Sequence, residues 1–547
     1  MGNSNGVSTF LWDTTFTTTY DIVNREIREQ STYPKTFDNT VNTYELLDYL
    51  SEGNEQSYYR LLKANFDAGS STALHGDWGQ WQLDLRGNGN SVFMKLPVMQ
   101  GTITQGGNTG DLSGGYLIVM VKLRFDSRKN DITEKRNLAL GSTDSSQVSV
   151  IDHSFPKLDP ESDLEDLVEG AFKRYLNKEK VLEQFYYVFS TVDINSKATG
   201  DFAWLKPSDT GYAVFVPEYN PKEEDGLFSI LCMTENRKAP PYIQQSVDSQ
   251  VFAGKTEGTN AVLCISPQKF CEKLLITAAM KMIVGTVRED YDFSADGQEI
   301  HNVREITFKN VEVADKKQVD LKIAALNFSI QLKNDHLDLK IIDASYSTAM
   351  YNAYLNLDQR IEFETKKDGN KTIFTLKKGD EFKGNIHAVV EPSDTAQILK
   401  WVGVAIDILS AVMVIGGGVI KGIAKCVTTA TSAAASVTDA AVSAGEVSAA
   451  TAAAVSGISA GSGAAKAVMV ADRLIVIGGL CAALGAPFSM VELIAEEAGK
   501  DVFDHVPSLE DFADNFLSEI AWTGINKTTL VGARLNDALL MDFRMEE

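Results

Sequence analysis

The sequence LNFSIQLKNDHLDLKI, residues 326–341, carries the clearest secondary-structure pattern in the chain. Apolar residues occupy every second position on both sides of a polar turn: Leu326, Phe328, Ile330 and Leu332 before it, and Leu337, Leu339 and Ile341 after it. Alternation with a period of two places one set of side chains on a single face of a strand. The stretch therefore predicts a β-hairpin that turns within residues 333–336 and buries one face.

The sequence around this hairpin predicts further antiparallel strands and a bend. Upstream, the apolar positions from Val319 to Ile323 alternate in the opposite phase, so the pattern slips at Ala324–Ala325. A slip of one residue indicates a β-bulge, which bends a strand. Downstream, Asp368–Gly369 marks a second hairpin. Long, bent antiparallel strands are therefore expected through residues 305–390.

Residues 9–27 predict an amphipathic helix near the amino end. Its apolar positions recur at steps of three or four residues: Trp12, Phe16, Tyr20, Val23 and Ile27. The threonines within residues 14–19 are poor helix formers, so tertiary packing has to hold this helix. We expect the five apolar side chains to form a core helix inside a curved sheet, where they are buried or line a hydrophobic groove.

Two further helices are expected. One spans 161–185, with a capping box of Ser162 and Glu165 and an apolar stripe. The other begins at Ser266, the predicted N-cap, with Pro267 in its first turn. A few long helices among bent antiparallel strands indicate an α+β fold.

Composition changes at about residue 396 and reverts at about residue 500. Two apolar stretches flank an Ala-rich connector there: WVGVAIDILSAVMVIGGGVI at 401–420, which opens on Trp401, and LIVIGGLCAALGAPFSMV at 474–491. Each stretch is at the short end of the about 20 residues that a membrane-spanning helix needs. The spacing of Gly418 and Gly422 and the pair Gly478–Gly479 permit close approach of helices.

These two stretches predict an all-helical hairpin with two alternative surroundings. Asp407 lies inside the first stretch, and Glu492 follows the second. A carboxylate at the bilayer centre costs about 2.5–3.5 kcal/mol unless it is protonated, paired or facing water. Residues 396–500 are therefore expected to form a hairpin that enters a membrane conditionally, or a hairpin that is buried against protein, and not a permanent anchor.

The overall charge and the cysteine and histidine content exclude several classes of function. A formal net charge of −23 disfavours nucleic acid as a partner, because the phosphate backbone repels it. Five cysteines without a CxxC pair fit a reducing compartment. Six scattered histidines show no zinc-ligand spacing, so we expect no metal site.

Catalytic motifs are absent from the sequence. The Gly-rich stretch GGNTGDLSGG at 106–115 is not followed by GK[ST], so a hairpin loop is favoured over a phosphate-binding loop. GxSxG and HExxH are also absent. We expect no enzyme activity, no catalytic residue and no cofactor.

Four segments, in order, resemble the clostridial P47 and OrfX proteins, which are encoded beside botulinum neurotoxins and in related bacterial toxin clusters. The segments are STFLWDTTFTTTYDIVNREI at 8–27, WQLDLRGNGNSVFMKLPVMQGT at 81–102, CISPQKFCEKLLI at 264–276 and ARLNDALLM at 533–541. The resemblance covers roughly 1–395 and 505–547. Residues 396–500 depart from the family's shorter members.

The resemblance implies a tubular lipid-binding (TULIP) fold, in which strongly curved antiparallel sheets wrap a long helix, in one or two modules. It implies a lipid or another hydrophobic small molecule as ligand, neighbouring toxin-cluster proteins as partners, and no catalysis. With the hairpin, it favours a toxin-associated protein that acts at a membrane surface. Two alternatives stay open: a chaperone or interaction subunit that does not touch lipid, and a directly pore-forming insecticidal toxin.

The expected organisation has three parts. Residues 1–395 form the P47/TULIP-like body, with a module boundary near 190–260, and 396–500 form the hairpin. Residues 501–547 supply a helix, with Ser508 as its cap, and a strand that complete the body. The opening residues show no basic region followed by an apolar stretch, so we expect synthesis in the bacterial cytoplasm without a signal peptide. From the resemblance, we expect release and action outside the cell or on host cells.

Overall fold

The fold is seen in a computed structural model of the chain. The structure describes residues 6–31, 33–51, 59, 62–121, 123–127, 135–140, 148–182, 191–193, 200–283, 285–313, 317–347, 351–368, 371–376, 384–392, 520–521 and 527–546. The predicted hairpin at 396–500 lies outside the described residues, with Trp401, Asp407, Gly418, Gly422, Gly478, Gly479 and Glu492. The predicted helix at 508–520 also lies outside them, except for Ile520, which is in a strand. In the part of the chain that the structure describes, no helix is both long and apolar enough to span a bilayer.

Antiparallel strands make up most of the described chain. The first are β1 (Thr14–Thr19), β2 (Thr36–Asn42), β3 (Ser71–Trp78), β4 (Gln82–Leu83), β5 (Asn88–Gly89), β6 (Val92–Gln105), β7 (Asn108–Asp111), β8 (Tyr116–Val121), β9 (Leu123–Ser127), β10 (Lys135–Leu140), β11 (Val148–Ser154), β12 (Thr191–Asp193) and β13 (Pro207–Phe215). The remainder are β14 (Leu227–Thr234), β15 (Ala261–Ile265), β16 (Tyr291–Phe293), β17 (Glu299–Asn302), β18 (Ile306–Val313), β19 (Lys317–Ile323), β20 (Phe328–Lys333), β21 (His336–Ser347), β22 (Tyr351–Asp368), β23 (Lys371–Leu376), β24 (Gly384–Pro392), β25 (Ile520–Ala521), β26 (Lys527–Leu535) and β27 (Leu539–Glu546).

Helices are fewer. The α-helices are α1 (Tyr20–Gln30), α2 (Thr43–Ser51), α3 (Asp163–Leu176), α4 (Glu179–Leu182) and α5, which runs through Pro267–Lys269, a π-helical segment Phe270–Leu275 and Ile276–Met282. Short 3₁₀ turns occur at Lys63–Asn65, Gly200–Leu205, Glu223–Asp225, Ser249–Phe252 and Arg288–Asp290.

The strands form four sheets. Sheet I has the order β26-β27-β15-β1-β14-β13-β5, and sheet II has the order β11-β8-β6-β3-β2, with β4 and β7 paired to β6. Sheet III has the order β16-β17-β20-β21-β19-β18, with β22 on β21 and both β23 and β24 on β22. Sheet IV has the order β25-β12-β10-β9. Antiparallel sheets with few helices agree with the predicted α+β class.

The hairpin predicted from residues 326–341 is confirmed as β20 and β21. Lys333 pairs with His336, which leaves a two-residue turn, and Phe328 pairs with Ile341. The apolar set from Phe328 onward is buried. Leu326 is the exception: its backbone is left-handed, with φ of 65°, and its side chain is exposed. Its predicted place on the buried face is therefore wrong.

The predicted slip at Ala324–Ala325 is the centre of a bend in sheet III. β19 and β20 both pair with the same edge of β21, and residues 324–327 separate them. The next two strands outward, β17 and β18, are likewise separated from each other by residues 303–305. β21 has a register shift between Ile341 and Ala344. The interruptions lie side by side across neighbouring strands, so the whole sheet bends along one line.

The amino-terminal segment is a strand followed by a helix. The predicted helix over 9–27 is wrong in its first half, because Thr14–Thr19 is β1 and helix α1 begins at Tyr20. β-Branched side chains favour extended backbone, and β1 pairs on both sides, with β14 and β15. The threonine run that opposes a helix therefore builds the centre of sheet I.

The other two predicted helices are present, but the first is shorter than predicted. In place of one helix over 161–185, α3 ends at Leu176 and α4 follows at Glu179–Leu182. The apolar stripe of α3 is buried, and Ser266 caps α5 by accepting a hydrogen bond from the Lys269 backbone N–H at 3.2 Å. The capping box of α3 does not form. The Ser162 hydroxyl donates instead to the Asp159 carbonyl at 2.7 Å, and Glu165 lies 3.0 Å from His153.

The carboxyl-terminal hairpin belongs to sheet I. β27 pairs with β15, and β26 forms the last strand beyond it. On its outer side, β26 meets sheet III, where the Thr365 hydroxyl bonds both the N–H and the C=O of Ala533. Strands β26 and β27, which follow residues 393–519 in the sequence, thus complete the body. The predicted boundary near 190–260 coincides with β13 and β14, inside sheet I, and the module division stays a prediction.

Candidate functional site

The five apolar residues predicted for the core helix are all buried, but they do not share one element. Phe16 lies in β1, whereas Tyr20, Val23 and Ile27 lie in α1, and these four belong to the main core. Trp12 precedes β1 and packs in a second core on the other side of sheet I. Its indole N–H donates to the Gln244 carbonyl at 3.0 Å.

A small crevice lies beside β1, between sheet I and the segment 246–251 that crosses it. It is lined mainly by alcohol groups, including those of Thr15, Thr17 and Ser229. Its volume of about 10 Å³ accommodates roughly one water molecule. The crevice is too small for a lipid chain, and it lies on the face of β1 opposite Phe16.

Charged side chains converge where helix α5 begins, and we call this set the α5 charge cluster. Its members are Asp13, Glu235, Arg237, Lys269, Glu272 and Lys273. The ammonium of Lys269, only 2% exposed, contacts Glu235 and lies 3.0 Å from Glu272. Lys273 contacts the same two carboxylates, at 3.1 Å from Glu272. Each buried charge is therefore paired, as the cost of desolvation requires.

Three elements position the α5 charge cluster. Asp13, just before β1, accepts hydrogen bonds from the backbone N–H and hydroxyl of Thr234 at 2.7 and 3.0 Å and pairs with Arg237. Its own carbonyl accepts from the N–H of Ser266, the cap of α5, at 2.9 Å. Glu235 has φ of 55°, a left-handed conformation that is rare for a residue with a side chain. The turn after β14 is thus held in the shape that delivers Glu235 to the lysines.

The α5 charge cluster coincides with a π-helical segment. Residues 270–275 carry both Glu272 and Lys273, and Phe270, Cys271 and Leu274 on the same segment are buried. π-Helical turns occur often at functional sites. The wider turn lets the apolar side enter the core while the charged side meets Glu235.

Electrostatics keep Glu272 of the α5 charge cluster ionised. Burial opposes the charge on Glu272, but hydrogen bonds and attraction from Lys269 and Lys273 outweigh it and hold the pKa of Glu272 below its ordinary value. Burial lowers the pKa of Arg237, and the charge of Glu272 opposes that shift. Glu272 is therefore a carboxylate that resists protonation, whereas burial disfavours the charge of Arg237.

The pH dependence of stability should report this ionisation. A carboxyl group whose folded pKa is depressed contributes stability above its unfolded pKa and loses it as pH falls through the folded value. We expect Glu272→Gln to be less stable than the parent chain by a constant amount from pH 7 to about 5, and the difference to shrink only below about pH 4, as Glu272 becomes protonated in the folded state. Urea unfolding at stepped pH measures it. A difference that shrinks already between pH 7 and 5 would contradict a lowered pKa.

Metal binding finds no support in the described part of the chain. No group of three or more His, Cys, Asp or Glu side chains there is arranged to hold a metal ion. Of the histidines, His153 pairs with Glu165, and His336 lies 2.7 Å from Asp335 and 3.3 Å from Asp338.

Residues 9–443 match the model of the OrfX-like family, described as Protein OrfX2/OrfX3/P47. The chain belongs to the OrfX-like family. The matched region runs past residue 396, as far as residue 443.

Curated relatives support the same assignment. The chain is 24% identical over 381 residues to Protein OrfX3 of Paraclostridium bifermentans, an alignment that covers 61% of this chain and 68% of that protein. It is 26% identical over 316 residues to Protein OrfX3 of Clostridium botulinum (strain Kyoto / Type A2), covering 52% and 57%. For Protein P47 of the same strain the identity is 21%, covering 49% and 56%. The chain thus spans little more than half the length of two of these relatives.

Solved structures of P47 share the fold of this OrfX-like chain. P47 from Clostridium botulinum A2 superposes with a TM-score of 0.53 at 17% identity, covering 74% of this chain and 86% of that one. P47 of Clostridium botulinum E1 gives 0.56 at 14% identity, covering 99% and 100%. At these identities the likeness concerns the fold alone.

Sequence reasoning missed the α5 charge cluster in this OrfX-like chain, although part of its signal was visible. Lys269, Glu272 and Lys273 are spaced i, i+3, i+4 in the motif CISPQKFCEKLLI, which places them on one helix face. Asp13 precedes β1 and Glu235 follows β14, and the pairing of β1 with β14 and β15 brings them there.

Proposed function

We propose that this OrfX-like protein is a non-enzymatic, toxin-associated protein that binds lipid or another hydrophobic ligand and acts at membranes through residues 396–500. One observation carries the proposal: the described body contains the chain up to Pro392, the end of β24, and again from Ile520, the start of β25. Between them lie both apolar stretches of the sequence. The described sheets close without these stretches, because β26 and β27 complete sheet I.

The architecture supports a TULIP-like body. α3 packs on sheet II through its buried stripe, and α5 packs on the inner side of the bent sheet III, with Phe270 and Phe328 in one core. A helix packed on an antiparallel sheet thus occurs twice. Proteins of this kind bind apolar molecules, which is the part of the proposal that the fold supports.

Membership of the OrfX-like family supports the association with toxins, since OrfX and P47 proteins belong to clostridial toxin-related clusters. Neighbouring cluster proteins are therefore the proposed partners. We further propose that the protein is released from the producing cell. A chaperone that does not touch lipid and a pore-forming toxin are the outcomes against which the proposal is tested.

Dye release from phosphatidylcholine vesicles that contain phosphatidylserine tests the membrane part. We expect the intact chain to release dye and a variant lacking residues 396–500 to release no more than vesicles alone. Asp407→Asn should release more than the parent chain, because the amide removes a charge that costs about 2.5–3.5 kcal/mol at the bilayer centre.

Further measurements decide which of the alternative functions each outcome supports. The deletion variant should keep the far-ultraviolet spectrum expected of the β-sheet body. Equal release by both chains, or none by either, would contradict the membrane role. Saturable uptake of a fluorescent lipid by the deletion variant would place the ligand in the body. Discrete conductance steps in electrical recordings would favour the pore-forming toxin. Stable complexes with cluster proteins, formed by a chain that takes up no lipid, would favour the chaperone.

A further inference from the structure

The segment that joins β14 to β15 crosses the outer face of sheet I, and we call residues 236–259 the strap. It covers the second core of the molecule, to which the sheet contributes side chains that include Leu231, Met233, Val262, Cys264 and Leu540. Of the strap's own apolar side chains, only Val247 and Val251 are buried. A segment with few buried contacts opens before the elements that it covers.

Side chains, and not a β-ladder, join the strap to the sheet. In the described chain, the backbone–backbone hydrogen bonds of residues 238–259 stay within the strap. Its bonds to the sheet use a side chain on one partner: Asp209 of β13 accepts from the N–H of Ala239 at 2.9 Å, and Arg534 of β26 donates to the Val251 carbonyl at 2.7 Å. The pairing of β1 with β14 and β15 therefore does not depend on the strap.

Sharp turns lie near both ends of the strap. Glu235 and Asn236 have φ of 55° and 61° where the chain leaves β14. Gly254 and Gly258 have φ of 70° and 83° before the chain enters β15. Turns at the ends of an element are where hinge motion is absorbed, so the strap has a hinge at each end.

Arg237 fastens the first end of the strap by pairing with Asp13. This contact is costly for the arginine, because burial lowers the pKa of Arg237 and its Nε is buried without a hydrogen-bond partner among the described residues. Asp13 also accepts from the N–H and hydroxyl of Thr234, at 2.7 and 3.0 Å. Arg237 can therefore leave for water while Asp13 keeps two hydrogen bonds.

We propose that the strap is a lid on the outer face of sheet I, with Arg237 as its latch, and that it opens about its end turns while the strands stay paired. Opening uncovers a surface of aliphatic side chains and hydroxyl groups, among them Leu231, Val262 and Thr15. The closed strap is thus an autoinhibitory contact that withholds this surface. The inference goes beyond the proposed function, because it holds whether or not 396–500 enters a membrane.

Two native cysteines report the opening of the strap. Cys264 and Cys232 lie on the two strands that flank β1, but Cys264 belongs to the core under the strap and Cys232 to the main core. Both are buried, and burial raises the pKa of the Cys264 thiol to about 12, so it reacts only once it is uncovered. The full chain is treated with iodoacetamide without denaturant, and each cysteine is followed by peptide mass spectrometry. We expect Cys264 to be modified at least about ten times faster than Cys232.

Arg237→Gln tests the latch. We expect it to raise the rate at Cys264 about tenfold and to leave Cys232 unchanged, because the variant favours the open strap without loosening the sheet. Arg304→Gln is the matched control: Arg304 also pairs with a largely buried aspartate, Asp290, at 2.9 Å, but in sheet III. It should change neither rate.

A second variant separates the strap from the amino-terminal segment that carries Asp13. Asp209→Ala removes the acceptor for the strap residue Ala239, so it too should speed Cys264 alone. An effect of Arg237→Gln without one of Asp209→Ala would identify the amino-terminal segment as the cover and overturn the lid.

Three further results would also overturn the proposal. Equal rates at Cys264 and Cys232 in the parent chain would show that only unfolding uncovers Cys264. Faster modification of both thiols in Arg237→Gln would show that Arg237 stabilises the body in general. No change at either thiol would show that Arg237 is not the latch.

Discussion

Replacing Phe16 with alanine is expected to lower the free energy of unfolding by about 3–5 kcal/mol. Phe16 is in the central strand of sheet I, between Ile230 of β14 and Leu263 of β15. Its ring is 1% exposed and lies 6.2 Å from that of Phe543. Truncation removes the transfer free energy of the ring and leaves a cavity among strands that cannot close up.

Urea unfolding of Phe16→Ala beside Phe16→Leu measures this effect. The leucine variant fills most of the volume and should lose less than about 1.5 kcal/mol. Tyr219→Ala, at a side chain that is almost fully exposed, should change stability by less than about 0.5 kcal/mol. A loss below about 1 kcal/mol for Phe16→Ala would show that this side chain lines an open groove, and would restore the ligand-binding face predicted from the sequence.

The hairpin of sheet III was predictable because burial on one side of a strand imposes a period of two. From Phe328 to Ile341 the alternation, the polar turn and the buried face all agree. Leu326 was not predictable in this way. It continues the alternation in sequence, but the bend turns its backbone left-handed and its side chain to solvent.

The amino-terminal segment shows where periodicity fails. Apolar residues at Trp12, Phe16 and Tyr20 are four apart, a spacing that satisfies a strand as well as a helix. Intrinsic preference had to decide, and the threonines of residues 14–19 favour the strand. The segment changes from strand to helix at Tyr20, where its N–H bonds the Gly226 carbonyl, and only the position of β14 determines that point.

The candidate site was predictable only in part for a related reason. Lys269 and Lys273 lie on one face of a predictable helix, but their shared carboxylate, Glu235, is 34 residues from Lys269 and arrives through sheet pairing. Patterns within one element are visible in a single sequence. Groups brought together by long-range pairing are not.

Replacing Asn302 with alanine is expected to lower the free energy of unfolding by about 3–5 kcal/mol. Asn302 ends β17 at the bend, and its side chain is fully buried. Its amide donates to the Arg304 and Ala324 carbonyls at 2.8 and 2.7 Å, and its carbonyl oxygen accepts from the Phe328 N–H at 2.9 Å. These bonds replace the ladder that the interruption removes. Without them, buried backbone groups lose their partners, and each such loss costs about 1–3 kcal/mol.

A matched residue on the same bend separates this role from a general sensitivity of the sheet. Asn356 bonds Asp343 through both its oxygen and its amide, at 2.8 and 3.2 Å, but in an exposed position where water can replace it. Asn356→Ala should therefore cost less than about 1 kcal/mol. Asn302→Asp keeps the acceptor for Phe328 but loses both donors and buries a charge, so it should be as damaging as alanine. Equal small losses for Asn302→Ala and Asn356→Ala in urea unfolding would show that the bend is held by packing alone.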